Sequence, residues 1–508
     1  MQTKKLSANG KLYIYFGVFA LIVGLIAFGS SPLYPLNEWA DPNVFMTVGR
    51  TMLEGKVLYR DIYEQKGFYV YFIHAFSALI SNKSFLGIFF LELLLFFTTL
   101  FFSSKILQVY GVESVKTRGV ICSLLGVSFA FSFALSWGDS VEEFVLPFFI
   151  IMIYATVKHI KHDEEFKMWE HFLIGIFSAY VFWSKFSLVA FFIGWFVFYV
   201  YRCIKRKKVA HIFLCVGFVI LGFIVGTLPG LIYFLCHGAI KDCLQVYIYD
   251  NIFRYPSEGG IFYKLWKVLT STLRAIGCNP HYGIFVLLGM VFFCWKKRGE
   301  ERMFMILVPT ITTFFLFIGG RYYRYYSLPL YMFAIFGYIA LTEWGVEKFF
   351  AKQKWTRIVT PILAVCSCFT YFCINGNIFR IFRSKDTLAQ YQVAEYIKEH
   401  GDEDALILEY GFLDTGFYLA CEQVPPYKFF CEFNIPLEEM KEEMDAYVES
   451  GKVDYVVTEL WYKNNNYARR RAEMNEKMKN RTDYKQVKEI HTRNRGTKVT
   501  YILYERIA

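Results

Sequence analysis

The chain has 508 residues, of which 55% are apolar, 20% aromatic and only 19% charged. Soluble globular chains carry about 25% charged and about 45–50% apolar residues, so this composition excludes a disordered chain, a collagen, a disulfide-stapled miniprotein and an ordinary cytosolic enzyme. The formal charge is +11, from 55 Lys and Arg against 44 Asp and Glu. The basic residues cluster between apolar runs, as in Lys205–Lys208 and Lys296–Arg298. That is the pattern of loops facing the cytoplasm, not of a nucleic-acid surface.

The N-terminus reads Lys4, Lys5, a polar stretch and an apolar run over 12–29. That run can cross a hydrocarbon core of about 30 Å. It lacks a small-residue cleavage site, so it reads as a retained first helix. Further runs long enough to cross lie at 84–107, 118–136, 144–160, 171–184, 186–202, 210–236, 281–295, 303–318, 328–345 and 356–375, eleven in all with the first. Backbone groups in lipid must be satisfied within a segment, so these are expected to be helices.

The run 68–80 has 13 residues and reaches only about 20 Å as a helix, too short to cross. Charge supports that reading. With 68–80 kept on one side and the N-terminus inside, Lys116, Arg118, Lys158, Lys161, Lys167, Lys205–Lys208, Lys296–Arg302 and Lys348–Arg357 all fall inside. The segment is therefore expected to be interfacial or re-entrant, and the C-terminus to lie outside. The outside loops become 30–83, 137–143, 237–280, 319–327 and everything after about 376.

In the first outside loop, Pro32, Pro35 and Pro42 end the first span. Asp41 can cap a helix beginning at Pro42 and stopping at Gly55. Its apolar face, Phe45, Val48, Met52 and Leu53, suits a membrane surface. Glu38, Asp41, Asp61, Glu64 and Lys66 then lie close to the lipid boundary. A carboxylate beside an apolar wall holds its proton more tightly, which suits a general base. A lysine there can hold a lipid phosphate or simply anchor the chain at the interface.

In the other outside loops, Trp137–Glu143 contributes Glu142 and Glu143, and Lys185 sits between two spans. Gly319–Tyr326 carries Arg321, Tyr323 and Arg324 on a side otherwise poor in basic residues. Arg offers phosphate a planar fork, and Tyr packs on sugar rings and bilayer interfaces. Residues 385–508 change character: amphipathic stretches at 388–400, 437–450 and 468–480 alternate with strand-like runs at 405–408, 453–458 and 498–504. This predicts a small α/β domain. The twelve Cys show no CxxC pair or zinc spacing; Cys421 and Cys431, in the polar part, could pair outside the cell.

The first helix, the acid at 41, the stretch MTVGRTMLEGKVLYRD, and a Lys-Gly before a hydrophobic helix together resemble the GT-C glycosyltransferases. The nearest branch is the protein-mannosyltransferase and aminoarabinose-transferase type. Here Asp41 precedes Pro42 where the family often has a second acid, Gln65 stands for a frequent Glu, Gly67 for a usual Pro, and 319–326 has no His. The resemblance covers roughly residues 10–345 and implies a polytopic helical membrane domain, taken as 1–375, with two juxtamembrane helices in the first outside loop; the α/β domain over 376–508, placed outside the cell by the charge pattern, adds little to it. It implies transfer of a sugar, with inversion, from a polyprenyl-phosphate donor to an acceptor hydroxyl on a polysaccharide, lipid or protein at the outer face of the plasma membrane. Asp41 falls at the family's catalytic aspartate and Lys66 at its phosphate-holding lysine. Glu143 is expected to assist catalysis, and Asp61, Glu142, Lys185, Arg321, Tyr323 and Arg324 to bind substrate. No cofactor or metal is expected. The alternative is a transporter or flippase of lipid-linked sugars using the same charges without reaction.

Overall fold

A computed structural model of the chain describes residues 7–255, 259–346, 376–462, 465–494 and 497–507. The chain forms two compact units. The first comprises Met1–Phe28, Phe89–Pro229 and Ser257–Ile378; the second comprises Gly29–Ile88, Gly230–Pro256 and Phe379–Ala508.

The helices follow the apolar runs. They are α1 (Ala8–Ala27), α2 (Ala40–Leu53), α3 (Phe68–Ile80), α4 (Leu86–Val109), α5 (Val115–Ala130), α6 (Val141–Lys161), α7 (Met168–Phe182), α8 (Ala190–Lys205) and α9 (Ala210–Cys236). After these come α10 (Ile240–Cys243), α11 (Ile261–Cys278), α12 (Pro280–Lys296), α13 (Gly299–Phe317), α14 (Leu328–Tyr331) and α15 (Ala334–Leu341). Among the described residues, five helices are individually long and apolar enough to cross a bilayer, or seven if two bent pairs each count as a span. The expected eleven is therefore not reached by length and composition. α5 and α7 are short, at 16 and 15 residues. The run at 328–345 is bent by 42°, and 356–375 lies outside the described residues. The stretch 237–280, expected as a loop, is largely helical: α10, a π-helix over Leu244–Arg254, and α11, which meets α12 at 119°.

Within the first unit, α7 and α9 cross where a side chain has no room. A Cβ on Gly175 would lie 2.2 Å from the Val219 carbonyl, and one on Gly222 would lie 2.0 Å from that of Phe172. Small residues at such crossings let helix backbones approach without a polar penalty. Several members of the basic clusters have polar partners. Arg206 meets Glu300 at 2.6 Å and Glu165 at 3.0 Å, and buried Arg118 donates to Asn9 at 2.7 Å.

Within the second unit, α2 and α3 pack together. Gly49 is required there, since a Cβ would lie 2.6 Å from the Ala75 backbone nitrogen. The apolar face expected to rest on the membrane is instead largely covered. Phe45 and Val48 are buried, Phe45 against Tyr71 and His74, and only Leu53 at the end is exposed. The opposite face is held by the C-terminal residues: Thr47 donates to Asp414 at 2.6 Å and Arg50 to the Tyr418 carbonyl at 3.3 Å. The sheet runs β1-β2-β4-β3, with β1 (Ile407–Glu409) parallel to β2 (Tyr455–Trp461) and the rest antiparallel. The three expected strands correspond to β1, β2 and β4 (Thr497–Arg506), and the three expected helices are present. β3 (Tyr484–Asn494) was not foreseen. Cys421 and Cys431 are free thiols.

Candidate active site

The second unit brings Asp41, Glu64 and Lys66 together. α2 begins one residue before Asp41, with Trp39 at the cap and no side-chain cap bond. Asp41 is thus not the expected cap. It lies in the first turn, where exposed N–H groups favour negative charge. Asn43 fixes the entry to the helix by donating to the carbonyls of Asn37 at 2.6 Å and Trp39 at 2.7 Å. Glu38, just upstream, is paired with Arg383 at 2.8 Å and Arg380 at 3.4 Å. Asp41 is half-buried, and among the described residues no hydrogen bond or ion pair engages its carboxylate.

Lys66 ends an irregular segment whose backbone is held at several points. Its N–H is shared between Glu64 Oε2 at 2.8 Å and the Tyr71 hydroxyl at 3.0 Å, and its carbonyl accepts from the Tyr59 hydroxyl at 2.6 Å. One residue back, the Gln65 carbonyl accepts from Asn251 at 2.7 Å. Glu64 is buried, and that burial pushes its pKa up. The Lys66 charge opposes the shift, and the Asp41 charge adds to it. Two carboxyl groups and one ammonium therefore share one electrostatic neighbourhood.

Asp61 stands apart from this group. Its Oδ2 accepts from the Val57 N–H at 2.8 Å, and Arg60 bonds its Oδ1 at 3.0 Å and holds its pKa below the usual carboxylate range. Asp61 is used to close a turn. Glu64, which was not among the expected binding residues, is the acid whose carboxylate meets Lys66.

The first unit assembles the other expected residues. Ser140 caps α6 by accepting from the Glu143 N–H at 3.1 Å. Glu142 is buried and paired with Lys185 at 2.5 Å. The same ammonium sits 3.9 Å from the Tyr326 ring and 5.3 Å from that of Tyr325. Tyr323 stacks on Tyr325 at 5.7 Å, and Arg324 covers the Phe133 ring at 3.9 Å. The loop before α6 is conformationally costly: Ser136, Gly138 and Asp139 all have positive φ, at 58°, 77° and 56°.

Glu92 holds that loop. Its Oε1 accepts from the Asp139 N–H at 2.7 Å, and a Cβ on Gly138 would lie 2.2 Å from it. Glu92 also meets Glu143. Sequence reading missed Glu92, although a signal was present: it is the single acid in the apolar run of α4, and an acid inside a span is seldom idle. Arg321 takes part in interactions within the fold and is half-buried.

No family model and no curated protein matches the sequence. Solved structures match its fold over nearly the whole length. The crystal structure of ArnT from Cupriavidus metallidurans bound to undecaprenyl phosphate superposes with a TM-score of 0.60 at 11% identity, covering 96% of this chain and 97% of that one. Its apo state gives 0.58 at 10% identity, covering 98% of each chain. The fold implied by the GT-C resemblance is thus the fold of the chain.

Proposed function

We propose that this chain, with its GT-C fold, is an integral membrane glycosyltransferase that moves a sugar from a polyprenyl-phosphate carrier to an acceptor hydroxyl at the outer face of the plasma membrane. The observation that carries the reading is the group Asp41, Glu64 and Lys66 in one electrostatic neighbourhood, with the Asp41 carboxylate unengaged. A solved neighbour of the same fold holds undecaprenyl phosphate, which supports a lipid-phosphate carrier.

The proposed step is a single displacement at the anomeric carbon. Asp41 takes the proton from the acceptor hydroxyl as the new C–O bond forms. The bond between that carbon and the lipid phosphate oxygen breaks, and the electron pair leaves with the phosphate. Lys66 meets the charge that develops on it. One displacement inverts the configuration. On the first unit, Lys185, Arg321 and Arg324 are proposed to bind substrate, with Glu142 setting the Lys185 ammonium. Tyr323 is proposed to pack on sugar. Glu143 is proposed to assist catalysis.

The test incubates purified protein with a panel of polyprenyl-phosphate sugars and membrane extract. Release of polyprenyl phosphate, detected by mass spectrometry with one of the sugars, is expected. Lipid-linked sugar moved between leaflets with no release would instead support a transporter.

A further inference from the structure

The segment Leu244–Arg254 is a π-helix of 11 residues. π-turns usually occur singly and mark functional sites, because they move side chains out of α-helical register. The spacing of five puts Gln245 and Asp250 on one face, where the Gln245 amide donates to Asp250 Oδ1 at 2.9 Å. Arg254 approaches the same carboxylate at 3.5 Å and pairs with Glu439 at 2.5 Å. The Tyr63 hydroxyl points to Asp250 Oδ2 at 3.5 Å. With Glu443 and Lys428, these groups line a cavity of about 190 Å³ within the second unit.

Size and chemistry narrow the ligand. The cavity exceeds a water site and falls short of the roughly 300–1,000 Å³ of a drug-sized pocket. That leaves room for one small ring. Its three acids, Asp250, Glu439 and Glu443, face two bases, Arg254 and Lys428, so neither sign dominates. Arg254 is already shared by Asp250 and Glu439, which leaves a phosphate no uncommitted guanidinium fork. A neutral polyhydroxyl ring suits the lining better. Its hydroxyls can donate to the carboxylates and accept from the Arg254, Lys428 and Gln245 N–H groups.

The cavity backs onto the acid group. Tyr63 forms part of its wall, whereas the next residue, Glu64, faces Asp41 and Lys66. Asp41 is not among the residues that line the cavity. Asn251 of the π-helix, however, holds the Gln65 carbonyl next to Lys66. We propose that the cavity binds one neutral saccharide unit that does not itself react, an anchoring unit of a glycan acceptor. The word acceptor rests on the transferase reading; the binding of a saccharide does not.

The test uses the full-length protein in detergent and a neutral hexose bearing a diazirine. After irradiation, label is expected on peptides containing 245–254 or 428–443. Excess unmodified hexose should abolish it, and equimolar inorganic phosphate should not. Glu443→Gln, which keeps an acceptor for the Tyr447 hydroxyl, should lower the labelling at least fivefold. Label elsewhere only, label unaffected by Glu443→Gln, or displacement by phosphate in preference to hexose would overturn the proposal. Polyprenyl phosphate binding, measured on the same preparations, should be unchanged in Glu443→Gln. If the wild type binds none, the donor reading fails while the saccharide labelling still decides this one.

Discussion

Glu64 and Asp61 stand three residues apart, yet the fold uses them in opposite ways. Asp61 is half-exposed and satisfied by a turn N–H and Arg60, so its charge is easily held. Glu64 is buried, and its proton is retained to higher pH than in water. Below that raised pKa the carboxyl is neutral and does not compete with a phosphate for the Lys66 charge. Above it, the carboxylate competes for Lys66. Affinity for polyprenyl phosphate should therefore fall by about tenfold, roughly 1.4 kcal/mol, as pH rises through the Glu64 transition. In Glu64→Gln the fall should be absent, read as the ratio of variant to wild-type affinity in a binding titration from pH 5 to 9. A ratio independent of pH would remove Glu64 from the account. Sequence reading carried Asp61 forward as a binding residue and left Glu64 out, because burial, which separates the two, is set by the fold and not by local sequence.

At the scale of elements, α2 is set by two kinds of contact. Gly49 lets it lie against α3, and Thr47 ties it to Asp414. Asp414 is fully buried beside Glu409, which accepts from the Thr415 and Phe417 N–H groups at 3.3 Å each. Burial first, and for Glu409 the neighbouring Asp414 charge, raises both pKa values. An acid with a raised folded pKa binds more protons folded than unfolded, so it lowers stability as pH climbs above its ordinary value near 4. The melting temperature in detergent should accordingly decline between pH 5 and 8, and the decline should be smaller in Glu409→Gln. An equal decline in both proteins would show that the pair does not titrate as described. The elements themselves were legible to different degrees. Long apolar runs gave α1, α4, α6 and α9 to within four residues at each end, since nothing but a helix satisfies backbone in lipid. β3 was hidden because YKQVKEIHTRN is polar on an edge strand and lacks clean alternation. α11 was hidden because its Phe262, Trp266 and Leu269 are interleaved with Lys264 and Lys267, which breaks the run that marks a span.

For the whole molecule, the proposed orientation, with the residues after about 376 outside, rests on the basic clusters. Cysteine placed at Lys207 should react with a membrane-impermeant maleimide only from the cytoplasmic side, and cysteine at Asp386 only from the outside, each in a background lacking the exposed Cys236. The reverse pattern would put the C-terminal residues and Asp41 on the wrong face for a lipid-linked donor. The fold was readable from the layout of apolar runs and the short helices in the first loop. The partition into units was not. Residues 29–88 and 230–256 join the C-terminal residues in one compact unit, a grouping that depends on contacts hundreds of residues apart, such as Thr47 to Asp414. The same long-range packing places Glu64 beside Asp41. The measurement that bears most directly on the central claim compares Asp41→Asn with wild type in one reconstituted preparation, scoring sugar transfer and, separately, retention of the melting transition and of polyprenyl phosphate binding. Transfer should drop by about 10²–10⁴-fold, the usual share of a general base, with folding and lipid binding intact. Transfer at the wild-type rate would contradict the account.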